Sequence, residues 1–278
     1  MATAGMSVLR SESGESSLEM AAGRPAPAVA PLAVRYAGYA ERGDGPVRRR
    51  EVPSGGVTMI VSLGPSVRVA TPESHGSASV CSFVAGLHDG PAFTEHDGVQ
   101  DGLQVDLTPV GAYAVFGVPM AELTNRVVAL DGLLGRDFER LVDRLLGASG
   151  WEQRFGVLDE ELSVAAVNGP RPAPEVGWLW HELARDAGTS SIGALAEETG
   201  WSRRHLAARF RREIGLGPKA LARVLRFRRA VRRLRDASGA GTLAAVAAEC
   251  GYYDQAHFNR EFRALAGCTP REFLAADR

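Results

Sequence analysis

Ser191-Ile192-Gly193-Ala194-Leu195-Ala196-Glu197-Glu198-Thr199-Gly200-Trp201-Ser202-Arg203-Arg204-His205-Leu206-Ala207-Ala208-Arg209-Phe210 is the stretch on which the fold turns. Ile192, Leu195 and Ala196 fall at helical spacing, and Gly200 stops the pattern. Ser202 then reads as the N-cap of a second helix with Leu206, Phe210 and Ile214 inward. The same text recurs downstream. Leu243, Val246, Ala247 and Gly251 repeat the first helix and its stop, each displaced by 51 positions. Beyond the turn the displacement becomes 52: His205-Leu206 matches His257-Phe258, Phe210-Arg211 matches Phe262-Arg263, Gly215 matches Gly267 and Pro218 matches Pro270. One residue has been added inside the second turn.

Each copy is a short helix, a glycine turn and a second helix. That is the grammar of a helix-turn-helix, whose second helix enters the major groove of DNA. The small alanine lets the helices approach, and glycine supplies the left-handed turn. Around the repeat, Val176, Leu179, Trp180, Leu183 and Ala187 mark an opening helix. Pro218 starts a long Arg-rich helix through Leu221, Leu225, Val231 and Leu234 that joins the copies, and Pro270 starts a last short one. Upstream, Asn168-Gly169-Pro170-Arg171-Pro172-Ala173-Pro174 cannot continue a helix and reads as a linker over 169–174. An all-helical domain is thus expected over 175–278.

The front half has a different texture. Residues 1–31 are rich in Ser, Gly, Ala, Glu and Pro, and are expected to be a disordered tail without a secretory signal. Strand-like runs follow at 57–63, 80–85, 103–107 and 112–116, which suit a small antiparallel sheet or barrel. Two helical patterns close this half, one through Phe138, Leu141, Val142, Leu145 and Leu146, the other through Phe155, Leu158, Leu162 and Ala165. The fold class is therefore α+β, with a β-rich regulatory or dimerisation domain over 32–168 ahead of the helical domain.

Charge divides along the same line. Residues 175–278 hold 18 Lys+Arg against 12 Asp+Glu, a balance of +6, whereas residues 1–174 hold 14 against 21, a balance of −7. A polyanionic partner is expected for the C-terminal part alone. The three cysteines are scattered and form neither a disulfide framework nor a metal knuckle, and no run of about eighteen apolar residues occurs. A cytoplasmic protein without a membrane span is expected.

The C-terminal text resembles the AraC/XylS family of transcriptional regulators. The resemblance lies in Ser191-Ile192-x-x-Leu195-Ala196-x-x-x-Gly200-x-Ser202-x-x-x-Leu206-x-x-x-Phe210 and in Gly215-x-x-Pro218 with Arg226-x-x-x-Ala230. It continues through Gly251-Tyr252-x-Asp254-x-x-x-Phe258-x-Arg260-x-Phe262 and Gly267-x-Thr269-Pro270-x-x-Phe273. The front half is similar to the β-rich domain of actinobacterial members in Leu107-Thr108-Pro109-x-Gly111-Ala112-Tyr113 and Val127-Val128-x-Leu130-Asp131-x-Leu133-Leu134-Gly135. The resemblance implies a sequence-specific regulator, more often an activator. Its implied partners are double-stranded DNA, RNA polymerase, a second copy of the chain and a small-molecule effector held by the front half, with no cofactor and no metal.

At about 100° per residue, Arg204, Ala208, Arg211 and Arg212 lie opposite the buried side of the first reading helix. The resemblance places base-facing positions at Arg203, Arg204, Ala207 and Ala208, and on the second helix at Gln255, Ala256, Asn259 and Arg260. Arginine pairs with guanine, and glutamine or asparagine with adenine. Many relatives carry arginine where this chain has Ala208; here it is shifted to Arg209. Arg209, Arg211, Arg212, Arg223, His257, Arg263 and Arg271 are candidates for phosphate contact. His205 and His257 recur as braces, Trp201 and Tyr252 as packing residues, and Glu213 and Asp236 as acidic partners for the arginines of the joining helix.

Two other readings concern the front half. A metal-dependent cupin-like enzyme would draw on His75, His88 and His96 with Asp89, Glu95 and Asp97, but the H-x-H pattern with a following Glu is absent, and no G-x-S-x-G, phosphate-loop or dinucleotide fingerprint occurs. A pure protein-interaction module is the other. For an effector site the aromatic candidates are Tyr36, Tyr39, Phe83, Phe93, Tyr113 and Phe116.

Overall fold

The computed structural model describes residues 6–14, 16–71, 76–236 and 242–276. Strands β1 (Ser7–Ser13), β2 (Ser16–Gly23), β3 (Ala33–Arg42), β4 (Val47–Glu51), β5 (Val57–Ser62) and β6 (Val67–Ala70) come first. They are followed by β7 (Ser77–Val80), β8 (Phe83–Ala85), β9 (Ala92–His96), β10 (Val99–Leu107) and, after a short helix, β11 (Val127–Ala129). One sheet has the order β1-β2-β3-β10-β5-β8-β11 and the other β4-β9-β6-β7, and all pairings described are antiparallel. The helices of this half are α1 (Pro109–Phe116), α2 (Leu130–Leu134), α3 (Arg136–Gly147) and α4 (Trp151–Asn168), with a 3-10 turn at Met120–Glu122. The second half is α5 (Pro174–Arg185), α6 (Ile192–Glu198), α7 (Arg203–Ile214), α8 (Pro218–Asp236), α9 (Leu243–Glu249), α10 (Gln255–Ala266) and α11 (Pro270–Ala276).

Three expectations are corrected. Residues 7–13 and 16–23, expected to be tail, form two paired strands that extend the larger sheet, with Ala21 and Gly23 buried and Met20 opposite Tyr39. Composition misleads there because every residue of β1 faces water, so polar side chains cost nothing, and the ladder to β3 supplies the order. The run 112–116 is helix, not strand. Thr108 caps it by accepting the Gly111 N–H at 2.9 Å, Pro109 opens it, and Gly117 at φ 65° ends it, so start and stop signals outweigh the alternation. The run 80–85 is broken at Cys81-Ser82 into parts of two strands on different sheets.

The larger sheet sorts its side chains by period two. On β5, Val57, Met59 and Val61 are buried, and Thr58, Ile60 and Ser62 point the other way. Helix α4 lies across the sheet: the Tyr36 hydroxyl donates to Asp159 at 2.9 Å, and Trp151 Nε1 donates to Glu19 at 2.7 Å. Contact is so close that a Cβ at Gly38 would stand 2.3 Å from the Trp151 ring.

The linker is not loose. Gly169 donates its N–H to the Ala165 carbonyl at 2.8 Å, and Pro174 occupies the first turn of α5, where its missing N–H is harmless. Between them Ala173 donates its N–H to Glu213 Oε2 at 2.8 Å, and Glu213 also pairs with Arg209 at 2.5 Å. Glu213 is 2% exposed, and its partner is thus on its own helix rather than on the joining helix as expected. Leu87, Met120 and Leu123 of the first half share one apolar core with Ile214 and Leu216 of the second. Gly215, at φ 113°, faces Thr124 Oγ1, which a Cβ would approach to 3.1 Å.

Removing the Glu213 carboxylate leaves a part-buried N–H without its acceptor and a half-exposed guanidinium without its pair. Glu213→Ala is expected to lower unfolding stability by about 2 kcal/mol, and Glu213→Gln, which keeps the acceptor, by less. Urea denaturation checks this; equal losses would show that the N–H bond contributes nothing.

Candidate nucleic-acid interface

The two copies of the repeat fold alike down to their caps. Ser191 accepts the Ala194 N–H and Thr242 that of Ala245; Ser202 accepts the His205 N–H at 3.3 Å and Asp254 that of His257 at 2.6 Å. Gly200 at φ 69° and Gly251 at φ 77° supply the left-handed turns. On α7, Leu206, Phe210 and Ile214 are fully buried, and on α10 so are Phe258, Phe262 and Leu265. The Phe227 ring on α8 meets Phe262 at 5.0 Å, edge to face. Helix α7 packs on α5, α6, α8, α1 and the 3-10 turn, whereas α10 packs on α8, α9 and α11. Both leave their opposite sides to solvent.

On those open sides stand Arg203, Arg204, Ala207, Ala208, Gln255, Ala256 and Arg260, all exposed, with Asn259 half-buried. Arg203 pairs with Glu197 across the turn at 3.0 Å, so Arg204 is the arginine that projects without that tie. Among the phosphate candidates, Arg211, Arg212, Arg263 and Arg271 are exposed. The other three are turned to structural partners. Arg209 is half-buried against Glu213, Arg223 lies 3.7 Å from Asp89 of the first half, and His257 lies 3.5 Å from Glu261. The Arg209 guanidinium is held by the buried Glu213 of its own helix, one turn on.

The recurrent histidines brace the turns: His205 meets the Trp201 ring at 4.5 Å and His257 the Tyr252 ring at 5.5 Å. Burial pushes the Tyr252 hydroxyl well above the usual phenol range, with Glu261 acting in the same direction. On α8, Arg226 reaches Glu261 at 3.7 Å, Arg233 pairs with Glu249 at 2.8 Å, and Arg235 lies over the Phe273 ring at 5.3 Å. Sequence reasoning did not find these partners, because Glu249 and Glu261 are distant in the chain and only the fold brings them to α8.

The first half holds a second candidate site. Between the two sheets lie an open cavity of about 240 Å³ and a neighbouring one of about 320 Å³, which share Arg35, Glu51, Ile60, Phe83, Thr94 and Gln104 in their walls. Of the aromatic candidates, Phe83 and Tyr39 line them. Tyr36 and Phe116 are core, Tyr113 packs partly buried against that core, and Phe93 stacks under Arg48 at the outer face of the smaller sheet. The cavity's charges are largely paired: Arg35 with Asp106 at 2.8 Å, Arg49 with Glu41 at 2.7 Å. The Tyr39 hydroxyl is pushed up to about 12 by burial and by Asp101. Loops 52–56 and 86–90 form one rim, and the same loops touch the helical domain, where Gly55 adjoins Leu225 and Asp89 adjoins Arg223.

The residues weighed for a metal do not converge. Among the described residues no three His, Cys, Asp or Glu side chains form a metal-sized group, and His75 lies outside them. Asp89 is bound to Asn125 at 2.9 Å, and Glu95 to Arg68 at 2.6 Å.

Residues 195–276 match the family model described as a helix-turn-helix domain, and residues 23–129 match one described as a domain of unknown function (DUF6597). No curated protein matches the chain. Among solved structures, unsaturated fatty acid-bound wild-type ToxT from Vibrio cholerae is 9% identical over 84% of this chain and 96% of that one, with a TM-score of 0.47. The C-terminal domain of AraT, a response regulator from Geobacillus stearothermophilus, is 20% identical over 38% and 88%, with a TM-score of 0.35. A DNA-binding transcriptional dual regulator from Escherichia coli K-12 is 22% identical over 34% and 96%, with a TM-score of 0.28. These overlays are loose. Residues 195–276 form a helix-turn-helix domain, in agreement with the two capped helix pairs of this fold. Among the described residues no helix is long and apolar enough to cross a membrane.

His96, beside the cavity, is 3% exposed, and its Nε2 lies 3.7 Å from Glu41. Burial holds its imidazole below the ordinary 6.5, against the pull of Glu41. The unfolded chain therefore takes up this proton first as pH falls, and stability is lost on going below the ordinary value. Between about pH 7.5 and about pH 5.5 the melting temperature of the wild type is expected to fall more steeply than that of His96→Gln. Parallel slopes would refute it.

Proposed function

We propose that residues 202–214 and 254–266 enter successive major-groove segments of one operator. The observation that carries this is the pair of capped helices, each with one side buried and the other exposed. Helix α8, 19 residues and about 28 Å long, joins them over a span close to the ~34 Å turn of DNA. In this reading Arg204 and Arg260 pair with guanine, and Gln255 and Asn259 with adenine. Ala207, Ala208 and Ala256 touch thymine methyls, and Arg203 assists at the rim. Arg211, Arg212, Arg263 and Arg271 hold phosphates. Arg209, Arg223 and His257 serve the fold rather than the backbone of DNA, as their protein partners argue.

The first half acts as a binding unit rather than a catalytic one, since its carboxylates are engaged: Glu95 by Arg68, Asp89 by Asn125 and Arg223. A small-molecule effector enters the cavity between the sheets. The rim loops that it meets are those that hold the helical domain, which couples occupancy to the presentation of α7 and α10. Leu146, Val164 and Val167, exposed on α3 and α4, favour pairing of two copies through these helices. The protein acts in the cytoplasm, as an activator that engages RNA polymerase.

Operators selected from random DNA test the reading. Arg204→Ala and Arg260→Ala are each expected to cost about 1–3 kcal/mol at the preferred site and to relax one base position. Wild-type affinity in both would end the assignment. Asp89→Ala, which frees Arg223 from the first half, is expected to raise operator affinity a few-fold in the same gel shifts without changing the preferred sequence; unchanged affinity would remove the coupling.

A further inference from the structure

The two copies of the repeat differ in one place that their common function does not explain. In the first, Gly200 is followed by Trp201 and then by the cap Ser202; in the second, Gly251 is followed by Tyr252, Tyr253 and then by the cap Asp254. The residue just before an N-cap ordinarily folds back over the first turn of its helix and packs there. Trp201 does so, half-buried with its ring 4.5 Å from that of His205. In the second copy the role falls to Tyr252, one residue further back. It is 5% exposed, with its ring 5.0 Å from Phe258 and 5.5 Å from His257.

Tyr253 is thereby released from packing. It is 92% exposed, more than any other large hydrophobic residue described. A single exposed apolar side chain is ordinary. This one is distinguished by its place and its anchorage. It adjoins the cap of the second reading helix, beside the exposed Gln255 and Ala256. Its backbone is held, because the Tyr253 N–H donates to His257 Nδ1 at 3.4 Å, while Nε2 of the same ring lies 3.5 Å from Glu261. Glu261 in turn lies 3.7 Å from Arg226 of the joining helix. An aromatic side chain without packing duty is thus presented from a backbone tied to α8.

We propose that Tyr253 is a DNA-backbone contact. Its hydroxyl donates a hydrogen bond to a phosphate flanking the groove that α10 enters, and its ring lies against the adjoining deoxyribose. The assignment rests on α10 being the second reading helix. A phenol is uncharged, so the contact adds affinity without releasing a counterion and without discriminating bases.

The test uses the full-length protein and the operator it selects, with Tyr253→Phe and Tyr253→Ala measured across salt concentrations and on single-base variants of the site. The ring is almost wholly exposed, so both variants are expected to melt with the wild type. Tyr253→Phe is expected to weaken binding about tenfold on every site variant, with an unchanged slope of affinity against salt, and Tyr253→Ala is expected to weaken it further. Wild-type affinity in both variants overturns the proposal. An altered base preference in either also overturns it, in favour of base reading. A wild-type protein that selects no site fails the reading of α10 itself and the Tyr253 contact with it, an outcome distinct from the other two.

Discussion

Helix α7 has to satisfy two domains at once, and the rest of the arrangement follows from that constraint. Its exposed side carries Arg204 and Ala208, its apolar side fills the helical domain, and its C-terminal end meets the first half through Ile214, Gly215 and the turn at Met120–Glu122. At that end sits Glu213, a carboxylate almost wholly removed from water. Such a group is tolerated only when donors surround it. The Ala173 N–H comes from the connecting segment and the guanidinium from Arg209. One buried charge thus fastens the linker, the reading helix and the seam together.

The second copy is built differently in just this respect. Helix α10 packs on α8, α9 and α11, and it meets the first half at its C-terminal end, through Gly267 beside Pro91 and Cys268 beside Arg50. The two reading helices are therefore unequal. The first is restrained by the domain that contains the cavity, and the second mainly by α8. Loops 52–56 and 86–90 touch Leu225 and Arg223 of α8, the helix on which both α7 and α10 pack.

Inside the cavity, paired charges set the chemistry. Arg35 and Arg49 are each neutralised by an acidic neighbour, and Phe83, Ile60 and Val69 supply apolar walls. Polar groups held in pairs fix a shape and orient a ligand by hydrogen bonds more than by net charge. Asp89 of the acidic first half and Arg223 of the basic second half face each other where the two meet.

The duplicated helices were legible in the sequence because short-range rules determine them. Apolar spacing, Ser202 and Asp254 as caps, and Gly200 and Gly251 as left-handed turns all act within a few residues, and the repetition made each signal count twice. The outward placement of Arg204 and Arg260 follows from the same helical period. What the tertiary structure alone decided is where residues go whose partners are far away in the chain. Strand β2 is ordered by pairing with β3, and β1 by pairing with β2, which no local composition reports. Charge and spacing mark Arg209 and Arg223 as basic residues, but only the fold sets them against the carboxylates of Glu213 and Asp89. Pairing energy between distant groups depends on distance and burial, and neither is written in the order of the residues.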